Sequence, residues 1–202
     1  MPAESINPDG DELLMHDLRG QARMTPPVGE SEQAVLLEKS ALGDRKSQER
    51  LVAANLGLVI RLAEAREDKG LSLPDLVQEG SLGLFEAVRS FATSGEVDFA
   101  RFAEQRIGEQ MNAAIAAEAT AVRDAELLVA AAGDYERTWV LLRRLLGHDP
   151  TAAQIAEKLE WTVDRTRYVA QVVAEARRRH DEELLAFVDP DAIEDIDDAI
   201  DA

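Results

Sequence analysis

The residues best suited to bind a partner lie between positions 75 and 85. Five side chains at helical spacing share this stretch: Asp75, Gln78, Glu79, Ser81 and Phe85. Carboxylate, amide and hydroxyl groups on one side of a helix suit a basic helical surface, which they contact through charge-assisted hydrogen bonds. The ordinary alternative is a solvated helix face with no partner. Residue type and spacing alone leave both interpretations open.

Cysteine and histidine, two residues that commonly carry catalysis or bind metals, are scarce. The chain has no cysteine, and its three histidines, at positions 16, 148 and 180, lie far apart. Disulfides, thiolate catalysis, zinc fingers and iron–sulfur clusters are thereby excluded. Phosphate-binding glycine loops and the common hydrolase motifs do not occur. A calcium-loop pattern in the acidic terminus fails at Ile193 and Glu194. We therefore expect no enzyme activity, no metal and no cofactor.

Charge is distributed unevenly along the 202 residues. Forty acidic and 22 basic side chains give a formal net charge of −18. The net charge is −6 over residues 1–44, −2 over residues 45–180 and −10 over residues 181–202. Such a chain repels bare nucleic acid and anionic membranes and suits a basic protein partner, although an acidic surface also serves solubility alone. A membrane-spanning helix needs about 20 apolar residues, and every apolar stretch of this sequence is far shorter. The sequence also begins without a secretory signal, so we expect a cytoplasmic protein.

The pattern of apolar residues is helical throughout. Phe99, Ala103, Ile107 and Met111 recur every four residues, and no stretch alternates as a β-strand does. The sequence therefore predicts an all-α fold. It has four parts: a disordered tail over residues 1–29, a helical domain over residues 30–120, a second helical domain over residues 121–180, and an acidic flexible tail over residues 181–202.

The second domain is predicted to be a small three-helix unit. Its first helix covers residues 135–146, and Thr151 and Gln154 form a capping-box pair that starts the next helix. After a turn at residues 160–162, a third helix covers residues 163–179. Helix, tight turn and helix give the outline of a helix-turn-helix, although helical hairpins are common in proteins of every function.

Two stretches resemble a known family. Residues 50–59 read RLVAANLGLV, and residues 75–91 read DLVQEGSLGLFEAVRSF. Together they resemble bacterial RNA polymerase sigma factors of the housekeeping type, whose most characteristic stretch is D-L-x-Q-E-G-x-x-G-L-x-x-A-V-x-x-F. The segment LGHDPTAAQIAEKL, which begins at Leu146, resembles the third domain of that family more weakly. The resemblance covers about residues 31–180 and implies the second and third domains without the promoter-reading fourth domain.

The resemblance implies a binding partner for the five side chains between positions 75 and 85. In the family, the matching positions contact the clamp helices of the largest RNA polymerase subunit. This role is thereby implied for Asp75, Gln78, Glu79, Phe85 and Ser81, the last of which stands where the family usually has asparagine. Core RNA polymerase becomes the expected partner.

The sequence departs from the family in the element that opens promoter DNA. The degenerate positions are Asp98, Gln105, Arg106, Gly108 and Glu109. A tryptophan pair of the family is replaced at positions 105 and 106, a lysine at position 98 and an arginine at position 108. To open promoter DNA, a protein needs aromatic side chains on which the unstacked bases can stack and cations that bind the phosphates. Residues 91–126 instead carry a net charge of −4. We therefore expect weak DNA binding or none.

The resemblance implies a protein that binds RNA polymerase and modulates transcription initiation without melting DNA itself. Two alternatives stay open. One is a divergent working sigma factor, which would direct initiation through other residues or with a DNA-binding partner. The other is a sigma mimic that sequesters an anti-sigma protein. The acidic terminus, with Ile193, Ile196 and Ile200 at helical spacing, would enter a basic polymerase channel or act as a solvating tail.

Overall fold

A computed structural model describes residues 8–186, with side chains placed for residues 10–183. Every regular element in that range is helical, which confirms the all-α prediction. The α-helices are α1 (Pro8–Met24), α2 (Glu30–Ala41), α3 (Arg45–Glu64), α4 (Leu73–Ser94), α5 (Phe99–Leu146), α6 (Ala152–Leu159) and α7 (Val163–Ala186). None of these described helices has the length and apolar character to cross a membrane. The predicted helix of Ile193, Ile196 and Ile200 lies outside the described residues.

The described part of the chain divides into two compact units, a first unit that ends at residue 121 and a second unit that begins at residue 122. The core of the first unit is built from α1 to α4 and the first part of α5. Its largest fully buried side chains are Leu51, Val59, Leu76, Leu84, Val88, Ile107 and Met111. This core fixes one face of α4 and leaves the opposite face to solvent.

Helix α1 corrects the prediction of a disordered tail over residues 1–29 for the part that it covers, residues 8–24. Met15 is only 3% exposed and belongs to the core of the first unit, with Leu18 and Ala22 packed beside it. Arg19 Nη2 also donates to Glu64 Oε1 of α3 at 2.8 Å. The segment is helical because an apolar stripe docks on the core, even though its proline and glycine content is typical of disorder.

Buried polar contacts join α2, α3 and α4. Ser40 Oγ donates to the Val88 carbonyl oxygen at 3.1 Å, and Gln48 Nε2 donates to the Ser40 carbonyl oxygen at 3.1 Å. Both side chains are buried, so these bonds satisfy groups that would otherwise be costly to bury. They fix α4 against the two helices that precede it.

Two glycines let α5 approach α4 closely. A Cβ atom at Gly83 would lie 2.8 Å from the Arg106 carbonyl oxygen and 3.0 Å from the Ile107 Cα. A Cβ atom at Gly80 would collide with Met111 Cε of α5 and would lie 3.2 Å from Ile107 Cγ2 of the same helix. At Gly83 only glycine fits, because a larger side chain would push the two backbones apart. The close packing that these glycines permit fixes the position of α4 against α5.

Helix α5 is longer than the sequence predicts. Residues 121–134, which lie between the predicted domain boundary and the predicted helix over residues 135–146, continue the helix without interruption. The side chains of residues 116–127 are all exposed. Alanine is the most frequent residue in that segment, and its high helix propensity maintains the helix where side-chain packing contributes little.

The second unit contains the predicted helix-turn-helix outline. The capping box is present: Gln154 N donates to Thr151 Oγ1 at 3.4 Å, and Thr151 N donates to Gln154 Oε1 at 2.8 Å. Ala131, Val169 and Val173 form its small core. Helix α7 continues to Ala186, so residues 181–186, predicted to begin a flexible tail, are helical.

Candidate protein-binding surface

One face of α4 carries a row of exposed side chains. The row follows three- and four-residue spacing, and we call it the α4 stripe: Asp75, Gln78, Leu82, Phe85, Glu86 and Arg89. The buried side of the same helix holds Leu76, Leu84 and Val88, so the stripe lies on a helix that is fixed from behind. Three members of the predicted cluster, Asp75, Gln78 and Phe85, belong to it.

Asp75 stands in the first turn of α4, where it also stabilises the helix start. Its backbone N donates to Ser72 Oγ at 3.3 Å, and Ser72 Oγ lies 2.6 Å from Asp75 Oδ2. A carboxylate at this end interacts favourably with the partial positive charge of the helix N-terminus. Pro74 occupies one of the first positions of the helix, and Gly95 ends it at φ 79°.

Glu79 and Ser81 are less accessible than the sequence predicts. Their polar character predicts that both face outward, yet both are half-buried. Glu79 Oε2 accepts a hydrogen bond of 2.8 Å from Gln110 Nε2 of α5. Ser81 Oγ donates to the Val77 carbonyl oxygen at 2.7 Å. These two residues therefore form hydrogen bonds within the protein and are not members of the exposed α4 stripe.

Leu82 is a member of the stripe that polar character alone does not identify. Its side chain is 49% exposed at the centre of the row, and Phe85 beside it is 38% exposed. Two adjacent apolar side chains flanked by polar ones are typical of a protein interface. Its spacing, seven residues after Asp75 and three before Phe85, assigns it to the row only once the buried side of α4 is known.

Phe85 also borders a groove that contains several charged side chains. The Arg89 guanidinium lies 5.6 Å from the centre of the Phe85 ring, within the range of a cation–π contact. Phe85, Arg89, Arg45 and Arg106 all line an open groove of about 770 Å³. Glu86 lines the same groove, so the α4 stripe carries Asp75 near its start and both Glu86 and Arg89 near its end.

The positions aligned with the family's tryptophan pair form a polar network. Gln105 Nε2 donates to Glu109 Oε1 at 2.9 Å, and Arg106 Nη1 donates to Glu109 Oε2 at 3.0 Å. Arg106 Nη2 also lies 3.6 Å from Glu86 Oε2 of α4. The arginine at this position is paired with two carboxylates, which reduces the charge it can offer to a phosphate.

Asp98 and Gly108 have structural roles. Asp98 Oδ1 accepts from Arg101 N at 3.1 Å and so caps the start of α5. A Cβ atom at Gly108 would lie 3.1 Å from Arg66 Nη2, because the arginine side chain crosses over that position. Arg66 is held there by a bond of 3.0 Å from its Nε to Asn112 Oδ1. All five degenerate positions therefore lie on or beside α5 without an aromatic side chain among them.

The hydrogen bond from Gln105 lowers the pKa of Glu109. Partial desolvation of the Glu109 carboxylate raises this pKa, and Arg106 lowers it further. We expect Gln105→Ala to raise the Glu109 titration midpoint toward the ordinary value, as followed by carboxyl-carbon NMR. Because the folded-state pKa is lowered, the stabilising contribution is present above the ordinary pKa and is lost as pH falls through the lowered one. Gln171→Ala removes a similar i,i+4 bond to Glu175 and should leave Glu109 unchanged. Equal Glu109 midpoints in the Gln105→Ala variant and the unmodified protein would contradict the assignment.

Comparisons with known proteins find similarity in the stretch that runs from α3 into α5. Residues 51–119 match the family model described as Sigma-70 region 2. The chain is 34% identical over 128 residues to RNA polymerase sigma factor SigA of Synechocystis sp., which covers 63% of this chain and 30% of that protein. It is 32% identical over 127 residues to SigA of Nostoc sp., covering 63% and 33%. It is 29% identical over 150 residues to SigA of Bacillus sp., covering 74% and 40%.

The region-2 match contains the whole α4 stripe and all five degenerate positions. The chain spans only about a third of the length of the cyanobacterial relatives. Over residues 51–119 the chain is therefore similar to region 2 of the sigma-70 factors.

Proposed function

We propose that the chain binds bacterial core RNA polymerase through the α4 stripe and modulates transcription initiation. The contact on the polymerase would be the clamp helices of the largest subunit, which the family resemblance implies. The observation that carries the proposal is the exposed pair Leu82 and Phe85, set between polar groups within the region-2 match. A rigid helix with an apolar centre and a polar margin needs little reorganisation to bind.

The proposal includes a second element, that the chain does not melt promoter DNA by itself. Unstacked bases need aromatic side chains to stack on, and each stacked base contributes about 1–3 kcal/mol. The network of Gln105, Arg106 and Glu109 offers no aromatic surface, and its one cation is paired with two carboxylates. Modulation would then come from occupying the polymerase or from assisting another factor.

Capture of bacterial core RNA polymerase by the immobilised full chain tests the docking surface. The double variant Gln78→Ala/Leu82→Arg should reduce capture at least about tenfold, because an arginine in the apolar centre of an interface is poorly accommodated. The matched control is Val35→Arg on α2, since Val35 is 48% exposed and lies outside the stripe. Both variants change only solvent-exposed side chains, so we expect their helicity, measured by circular dichroism, to match that of the unmodified protein. Equal capture by the two variants would overturn the proposed surface.

Abortive transcription separates the proposed modulator from the alternatives. With core polymerase and a promoter duplex, the chain alone should give no abortive RNA, and it should change the yield when a housekeeping sigma factor is present. Abortive RNA from the chain alone would identify a divergent working sigma factor and refute the non-melting element. No capture by the folded, unmodified chain would refute polymerase docking and favour an anti-sigma partner.

A further inference from the structure

A second groove lies away from the α4 stripe. It is formed by the first turns of α2, the end of α4 and the loop that connects α4 to α5, and its volume is about 690 Å³. Leu37, Phe91 and Phe99 give it an apolar floor. The Phe91 and Phe99 rings meet edge to face, with centres 5.3 Å apart. The floor is thus rigid as well as apolar, which suits insertion of a side chain.

The rim of this groove, which we call the acidic groove, is negatively charged. Four carboxylates line it: Glu30, Glu38, Glu96 and Asp98. No lysine or arginine is among its lining residues, and none of the four carboxylates forms an ion pair with the described part of the chain. Four like charges around one opening repel each other, and a cation that binds between them relieves that repulsion.

Val97 adds an apolar contact at the rim. It is 96% exposed, the highest value among the large apolar side chains that the structure describes. It stands between Glu96 and Asp98, so the loop offers alternating acidic and apolar side chains next to an aromatic floor. The complementary ligand has the same alternation with the opposite charge.

We infer that the acidic groove docks a basic segment of a partner protein, in which an apolar side chain enters toward Phe91 and Phe99 and flanking lysines or arginines pair with the rim. A volume of about 690 Å³ is within the usual range for sites that enclose a few side chains. Nucleic acid does not fit, because its phosphates would face four carboxylates. A metal ion does not fit either, since no three acidic or histidine side chains of the described residues are grouped closely enough to hold one.

The inference is independent of polymerase docking. The acidic groove and the α4 stripe share no residue, although both lie in the first unit. Failure of either proposal leaves the other intact, and a peptide assay without polymerase distinguishes the two.

Two synthetic peptides of equal charge test the inference: a fluorescein-labelled alternating arginine–leucine hexamer and an alternating arginine–glycine hexamer. The full chain should bind the leucine peptide at least about tenfold more tightly by fluorescence anisotropy, because only that peptide can fill the apolar floor. In two-dimensional NMR, backbone amides of residues 91–99 should shift on binding. A single-stranded oligothymidine should neither bind nor displace the peptide.

Matched variants separate the groove from general acidity. Glu38→Lys/Glu96→Lys should lose at least about tenfold in affinity for the leucine peptide, whereas Asp17→Lys/Glu118→Lys makes the same charge change elsewhere and should lose much less. Val97→Ser tests the apolar contact at a position too exposed to affect folding, and it should also weaken binding. Equal binding of the two peptides, equal losses in the two double variants, or displacement by oligothymidine would overturn the inference.

Discussion

Gly83→Ala should lower the free energy of unfolding of the first unit by about 1–3 kcal/mol, although alanine is the better helix former. The added methyl group would lie 2.8 Å from the Arg106 carbonyl oxygen and 3.0 Å from the Gln110 Cβ. Backbone atoms of α5 cannot rotate away, so α4 and α5 have to separate. The separation would also lengthen the bond from Gln110 to Glu79.

Gly57→Ala is the matched control for this substitution. Gly57 lies within α3, and the side-chain atom closest to a methyl group added there is Arg61 Nη1, at 4.0 Å. We expect the control to stabilise the protein by about 0.5–1 kcal/mol, because alanine loses less backbone entropy on folding. Both tryptophans, Trp139 and Trp161, lie in the second unit, so fluorescence would not report the change. Amide hydrogen exchange of α3 and α4 gives the local measurement, and a stabilised Gly83→Ala variant would refute the close approach.

Met15→Ala should destabilise the first unit by about 2–5 kcal/mol, the usual range when a large buried side chain is truncated. Met15 is 3% exposed and contributes α1's deepest contact with the core. Truncation leaves a cavity between α1 and the helices beneath it. Protection against hydrogen exchange should fall first in α1 and then in α3, which Arg19 joins to it through Glu64.

Leu13→Ala on the same helix provides the control, because Leu13 is 69% exposed. Its truncation removes about the same side-chain volume from the surface and should change stability by at most about 0.5 kcal/mol. Equal effects of the two substitutions would mean that α1 does not dock on the core in solution.

Helix positions in the first unit could be predicted from apolar spacing, and α1 shows where that reasoning fails. The four-residue repeat of Phe99, Ala103, Ile107 and Met111 predicts the buried face of α5, and all four side chains are buried. In α1, the spacing of Met15, Leu18 and Ala22 is also helical. A stripe of three residues in a polar segment is too short to show that it docks, since docking depends on a tertiary surface elsewhere in the chain.

The binding surface could be predicted only in part, because residue type does not determine exposure. Polar character places Asp75 and Gln78 outside, as the structure has them, but it also places Glu79 and Ser81 there. Glu79 is drawn inward by Gln110, a partner 31 residues away. Leu82 escapes prediction for the converse reason: an apolar residue beside Gly83 has the signature of a core position, and only the packing of α5 shows which side of α4 is covered.

The exposed segment of α5 has a consequence for sequence drift. Side chains at residues 116–127 are exposed, so a substitution there removes few packing contacts from either unit. Selection on that segment for stability acts mainly on helix propensity, which differs by less than about 1 kcal/mol among most residues. Relatives can therefore diverge freely in this stretch while keeping its length and helical character. Proline is the exception, because it removes a backbone hydrogen bond and costs about 3 kcal/mol.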